Sequence, residues 1–196
     1  MKKPGEPMCL LDIETLLIEA AKISNHRQFV IVGSLSGLGA LMVPPEGMVL
    51  SRDVDLFPKL DPERGFLEIA QMLGEGSAFS REHGFFADPV SPRILSAPRN
   101  WTDRLVSISL SGGVVALFMD VNDAACAKLM RGNDNDLRWV HEGLLAGALS
   151  AQVIRQRMTT VEPSLEREIG AATVRLSDVE AQIETGGDQL RRVQRG

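Results

Sequence analysis

Apolar residues fall on one helical stripe near the start of the chain. In LLDIETLLIEAAKIS, residues 10–24, they occupy Leu10, Ile13, Leu16, Leu17, Ala20 and Ala21. That spacing predicts an amphipathic helix. The run Gln28 to Val32 is apolar after its first residue and rich in β-branched side chains, which predicts a buried strand. Gly33-Ser34 stops it. Leu35 to Leu41 predicts a short helix, although Gly37 and Gly39 each weaken it by about 1 kcal/mol. Val43-Pro44-Pro45-Glu46-Gly47 is a turn by composition. Met48 to Phe57 alternates, so this stretch predicts a strand with Asp53 and Asp55 on one face and Val54 and Leu56 on the other. Pro58 ends it. Residues 62–73 predict a helix capped by Asp61, with Pro62 in its first turn.

Residues 84–100 contain Pro89, Pro92 and Pro98 and read as loop. Leu105 to Leu110 alternates, Gly112-Gly113 signals a turn, and Val114 to Met119 completes a predicted hairpin. Asp123 is the expected cap of a helix that stops near Gly132, and residues 136–149 predict another. In the tail, Leu165, Ile169, Ala172, Leu176, Val179 and Ile183 recur at steps of four and three, a heptad-like seam ended by Gly186-Gly187. The pattern predicts an α+β fold, a small mixed sheet surrounded by helices. Residues 1–160 would form this domain and residues 161–196 a C-terminal helical extension. The seam needs a covering surface: its own domain, a second copy of the chain, or a protein partner.

Composition narrows the class. The chain has 196 residues, of which 44% are hydrophobic and 24% charged, which excludes bulk disorder. A net charge of −5 gives no global pull toward nucleic acid or anionic membrane. Aromatic residues are only 5% and Tyr is absent, which weakens any reading based on base stacking. Two cysteines, Cys9 and Cys126, argue against a disulfide framework or a cysteine-pair zinc site. Asp12, Glu14 and Glu19 interrupt the apolar N-terminal stretch, so it does not read as a signal peptide. No apolar run approaches the length of a membrane helix. A cytoplasmic location is expected.

The chemistry-bearing constellation is a buried strand ending in Gly33-Ser34, followed by a strand carrying Asp53-Val54-Asp55. Two carboxylates one residue apart on a strand point the same way and can hold a hard cation such as Mg²⁺. A Gly-Ser turn after a strand exposes N–H groups and a hydroxyl, which can hold phosphate oxygens. Together they provide what metal-assisted phosphoryl or nucleotidyl transfer requires. Asp120, between Met119 and Val121, fits a hydrophobic-Asp-hydrophobic pattern and equally the turn into the next helix. Lys128 sits in the apolar run AACAKLM, so its ammonium must snorkel or meet an anion. Asp136, Asp55 and a nucleotide phosphate are the candidates. Asp136 itself suits either a helix N-cap or an acidic site residue. Gly-Lys-Ser/Thr and Gly-x-Gly-x-x-Gly are absent, and so are a Ser elbow and a close His pair.

The segments FVIVGSLSGLGAL, SRDVDLFP, NWTDRLV and MDVNDAACAKLMRGNDNDLRWV, over about residues 8–157, resemble the nucleotidyltransferase (polymerase-beta-like) fold. More narrowly, the chain is similar to a bacterial family of small, largely uncharacterised proteins of that fold. In layout these are similar to the nucleotidyltransferase toxins of abortive-infection toxin–antitoxin systems. Ser51, Asp53, Asp55, Lys128 and Asp136 match their pattern in order. The resemblance implies a Mg²⁺- or Mn²⁺-dependent transfer of a nucleoside monophosphate from a nucleoside triphosphate to a protein, RNA or small-molecule acceptor. It implies that Asp53 and Asp55 bind metal, with Asp120 the candidate for the fold's third carboxylate, that Gly33, Ser34, Ser51 and Lys128 hold nucleotide phosphates, and that Asp136 orients or activates the acceptor. The chain departs from the pattern after Gly132, where Asn133 and Asn135 replace two cations. That departure leaves open a catalytically degenerate binding or antitoxin-type protein.

Overall fold

The computed structural model describes residues 2–3, 5–162 and 166–193. Five strands form one mixed sheet: β1 (Gln28–Ile31), β2 (Asp53–Pro58), β3 (Phe86–Pro89), β4 (Val106–Ser109) and β5 (Val115–Phe118), in the order β3-β2-β1-β5-β4. β1 runs parallel to β5 and antiparallel to β2. β2 is parallel to β3, and β4 is antiparallel to β5. The helices are α1 (Leu10–Ser24), α2 (Gly37–Ala40), α3 (Phe66–Leu73), α4 (Ala78–His83), α5 (Val121–Arg131), α6 (Asp134–Leu145), α7 (Ala151–Met158) and α8 (Glu166–Val193). The fold is α+β.

Helices cover both faces of the sheet. Ile13, Leu16 and Leu17 of α1 join Ile69 of α3 in one core with Phe29, Ile31, Val54 and Leu56. On the other face, Val30, Phe57 and Leu117 share a second core with Leu129 of α5, Trp139 and Val140 of α6, Ile154 of α7 and Leu176 of α8. A strand buried on both faces has no solvated side, which is why β1 is apolar from Phe29 to Ile31 rather than alternating.

Several local expectations shift. The second strand begins at Asp53, not Met48, because Glu46–Met48 form a 3-10 turn that sends Met48 into the core. The helix expected over 62–73 begins at Phe66. Asp61 and Gly65 both take positive φ, so the chain turns through 61–65 before the helix starts. Residues 84–100 are not all loop: they contain β3, a four-residue edge strand. Pro89 is tolerated at its end because an edge strand needs fewer ladder donors. Asp120, not Asp123, caps α5, accepting from the Asn122 N–H at 2.9 Å. Asp123 is buried in the first turn, where Arg104 Nε (2.7 Å) and Arg157 Nη1 (3.2 Å) meet its carboxylate. Asn133, not Asp136, caps α6, accepting from the Asp136 N–H at 2.9 Å.

The tail is also different. α8 runs through Gly186-Gly187 to Val193. Ala172, Leu176 and Val179 are buried in the second core, with Ile169 and Ile183 partly buried beside them. The seam is thus covered by the chain's own α5 and α6 rather than standing off as an arm. Leu165 lies outside the described residues. Among the described residues, no helix is long and apolar enough to cross a membrane.

Candidate functional site

β1 delivers the chain to Gly33, and the geometry there admits only glycine. Its φ is +69°, and a Cβ would lie 2.0 Å from Asp55 Oδ2. Close approach of backbone to carboxylate is what the missing side chain permits. The Val32 N–H donates to the Asp55 carbonyl at 3.0 Å, which ties the turn to β2. Three further side chains fasten the turn. Ser36 Oγ donates to the Gly33 carbonyl at 2.9 Å. Trp139 Nε1 donates to the carbonyls of Ser34 (3.1 Å) and Met48 (3.0 Å). Lys128 Nζ donates to Ser34 Oγ at 3.0 Å.

The strand period puts Asp53 and Asp55 on one face of β2. Parallel pairing then sets Asp88 of β3 directly opposite Asp55. Carboxylate oxygens of Asp53, Asp55 and Asp88 lie within 4.8 Å of one another. Burial, followed by the charges of Asp53 and Asp88, pushes the Asp55 carboxyl up to about 7. Burial, Asp53 and Glu75 also raise Asp88. Ser51 Oγ donates to Asp53 Oδ1. Three oxygen donors this close, one of them resisting ionisation, form a set that a hard divalent cation relieves. The residues therefore fit Mg²⁺ or Mn²⁺.

A cationic cluster stands on the other side of the turn. Lys128 is 3% exposed, and its ammonium lies 2.9 Å from Asp136 Oδ1 and 5.1 Å from the centre of the Trp139 ring. Burial lowers its pKa, while the bond to Asp136 works against that shift. Arg131 grips Asp136 with two bonds, Nε at 2.6 Å and Nη2 at 2.7 Å. Burial pushes the Asp136 carboxyl up, but the bonds from Arg131 and Lys128 outweigh it and hold the group below the usual carboxylate range. A carboxylate so occupied is a poor base; it is the anchor of the two cations.

The structure brings Gly33, Ser34, Ser51, Asp53, Asp55 and Lys128 into one region, with Asp136 linked through Lys128. It does not bring Asp120 there. That carboxylate caps α5 and pairs with Arg157, so Asp88 is the third member of the trio instead. Sequence reasoning missed Asp88 and Arg131. The available signal for Asp88 was an acid between apolar residues in Phe86-Ala87-Asp88-Pro89, the same pattern that pointed to Asp120. Arg131 carried no such signal beyond its place one residue before the helix-ending Gly132.

An α+β sheet with a Gly-Ser turn at one strand end and an Asp pair on the antiparallel neighbour is the arrangement expected of a nucleotidyltransferase. Residues 10–180 match the family described as nucleotidyltransferase of unknown function (DUF6036), and the chain belongs to that family. The matched span crosses residue 160 and takes in the buried part of α8. No curated protein and no solved structure matches the chain.

Proposed function

We propose that the protein is a divalent-metal-dependent nucleotidyltransferase that moves a nucleoside monophosphate from a nucleoside triphosphate to an acceptor. One observation carries this reading: Asp55 joins the carboxylate trio to the Gly33-Ser34 turn. Asp53, Asp55 and Asp88 would hold Mg²⁺ or Mn²⁺. When bound, such a cation would neutralise charge on the phosphoryl group being transferred. Ser34 Oγ accepts from Lys128, so its own hydrogen is free to donate to a phosphate oxygen. Ser51, bonded to Asp53, fixes the direction of that carboxylate. Lys128 supplies positive charge beside the turn, and Asp136 with Arg131 positions it. Asp136 is assigned this positioning role rather than activation of the acceptor. A role as the toxin of a toxin–antitoxin pair rests on the resemblance described above.

The test is incubation with each α-³²P-labelled nucleoside triphosphate, Mg²⁺ or Mn²⁺, and total cell lysate, with Asp53→Asn and Asp88→Asn run alongside. Metal-dependent label transfer that both substitutions stop is the expected result. Transfer that persists in both variants, or no metal-dependent nucleotide binding by the wild type, overturns the proposal. Nucleotide bound and released unchanged favours the alternative, a binding protein without transfer.

A further inference from the structure

A cavity of about 330 Å³ opens beside the Gly33-Ser34 turn, on the Asp55 side. Asp55, Lys128 and Arg131 line it, so it touches the carboxylate trio and the cationic cluster alike. Glu168 of α8 adds a second carboxylate, and Val90, Leu95, Met119 and Met130 make up much of the remaining wall. The volume lies at the low end of the roughly 300–1,000 Å³ typical of small-molecule sites. A nucleotide seated there leaves no room for a second small molecule. The acceptor hydroxyl then comes from a larger molecule or from the wall itself.

Among the described residues that line this cavity, only Ser96 carries a hydroxyl. The hydroxyls closest to the turn have other partners. Ser36 Oγ donates to the Gly33 carbonyl, and Ser51 Oγ donates to Asp53. Ser34 Oγ accepts from Lys128 and belongs to the turn assigned to phosphate. Ser96 is half-buried, in the segment that follows β3 and its Asp88. Backbone bonds in that segment are local: the Ile94 N–H donates to the Ser91 carbonyl at 3.2 Å, and the Ala97 N–H to the Leu95 carbonyl at 2.8 Å. Neither belongs to the sheet, so Ser96 can close on a bound phosphate without breaking strand pairing.

We infer that Ser96 is an acceptor of the transferred nucleoside monophosphate, a self-modification site within its own chain's cavity; this rests on the nucleotidyltransferase reading. A hydroxyl carried by the wall meets the nucleotide at an effective concentration no free alcohol reaches. Ser96 Oγ forms a bond to the α-phosphorus, the bond from that phosphorus to the bridging oxygen of the β-phosphate breaks, and pyrophosphate leaves. The hydroxyl proton passes to water. The product is a phosphodiester that keeps the nucleoside in the cavity. The reaction therefore stops after a single turnover, with the site closed to a second nucleotide.

The experiment incubates the full chain alone with each α-³²P-labelled nucleoside triphosphate and Mg²⁺ or Mn²⁺. It reads the intact mass, the modified peptide and the nucleotide affinity before and after. Labelling is expected to plateau at a single nucleoside monophosphate per chain and to map to Ser96. Calorimetry of the modified chain should show nucleotide binding lost. Ser96→Ala should remove the label and keep the nucleotide affinity of the unmodified wild type. Asp53→Asn should stay unlabelled, even when mixed with wild type, because each cavity serves its own chain. Label on any other residue, label on Ser96→Ala, or label passed to Asp53→Asn in the mixture overturns the inference. So does a wild type that binds nucleotide and never labels itself; labelled lysate proteins in that case leave the parent reading standing. A wild type that binds no nucleotide sinks the parent reading and this one with it.

Discussion

Replacing Asp55 by Asn in metal-free protein tests the carboxylate trio most directly. Asp55 is pushed from 3.8 to about 7 by burial and by Asp53 and Asp88. A carboxyl raised in the folded state contributes stability that is fully present below its unfolded pKa and is lost as pH rises through the folded one. The window here runs from about pH 4 to about pH 7. At roughly 1.4 kcal/mol for each tenfold change in proton affinity, the wild type should lose up to about 4 kcal/mol across it. Asp88, also raised, pulls the same way. Asp136 is lowered, so its contribution fades only in stronger acid, outside this window. The amide introduced by Asp55→Asn cannot ionise, so the stability of that variant should change much less. The assay is urea unfolding in EDTA at about pH 5.5 and pH 8.5 for both proteins; this interval covers roughly half of the window, so a double difference of about 2 kcal/mol is expected. Mg²⁺ at 100 times its Kd should then restore about 2.7 kcal/mol to the wild type at the higher pH and much less to the variant. Parallel stability profiles for the two proteins in EDTA would refute the crowding of these three acids.

Three other substitutions probe the turn and its supports. Gly33→Ala forces a Cβ to 2.0 Å from Asp55 Oδ2 at a positive φ, so it should cost more than about 1 kcal/mol and abolish Mg²⁺ binding; an unchanged calorimetric titration would contradict the close approach. Lys128→Met should lower stability by about 3 kcal/mol, the low end for breaking a buried pair, because Arg131 still holds Asp136. An unchanged melting temperature would mean that pair is not desolvated. Trp139→Phe leaves the carbonyls of Ser34 and Met48 without their shared donor and should cost about 1–3 kcal/mol in urea unfolding.

Local patterning made one half of the site legible and hid the other. The apolar run of β1 and the two-residue period of β2 are properties of short continuous segments, so Gly33-Ser34 and the Asp53–Asp55 pair were readable. β3 has four residues, ends on proline and exposes Asp88. Its identity as a strand depends on pairing with β2, whose partners lie more than thirty residues earlier. No local period carries that. Asp120 shows the converse. An acid between apolar residues suits a metal-bearing strand and a helix cap equally. The distinction lies in Arg157, 37 residues further on. Lys128 was readable as a charge needing an anion, but its choice of Asp136 depends on the turn at Gly132 that folds α6 back beside α5.

The tail connects to the site through that same corner. A stripe at steps of four and three fits a seam with another chain or a groove between two helices of its own, because both present two rows of side chains to it. What decides is whether the groove exists, and α5 and α6 create it. Arg175 of α8 then donates from Nη1 to the carbonyls of Leu129 (2.7 Å) and Met130 (3.2 Å), near the C-terminal end of α5. End carbonyls of a helix lack intrahelical donors, so this guanidinium completes the end of α5. Gly132 leaves room for it, since a Cβ there would lie 2.4 Å from the Arg175 guanidinium. The helix end held in this way carries Lys128 and Arg131. The seam that resembled an oligomerisation device is therefore a brace, and through it residues beyond 160 help fix the cations beside the Gly-Ser turn.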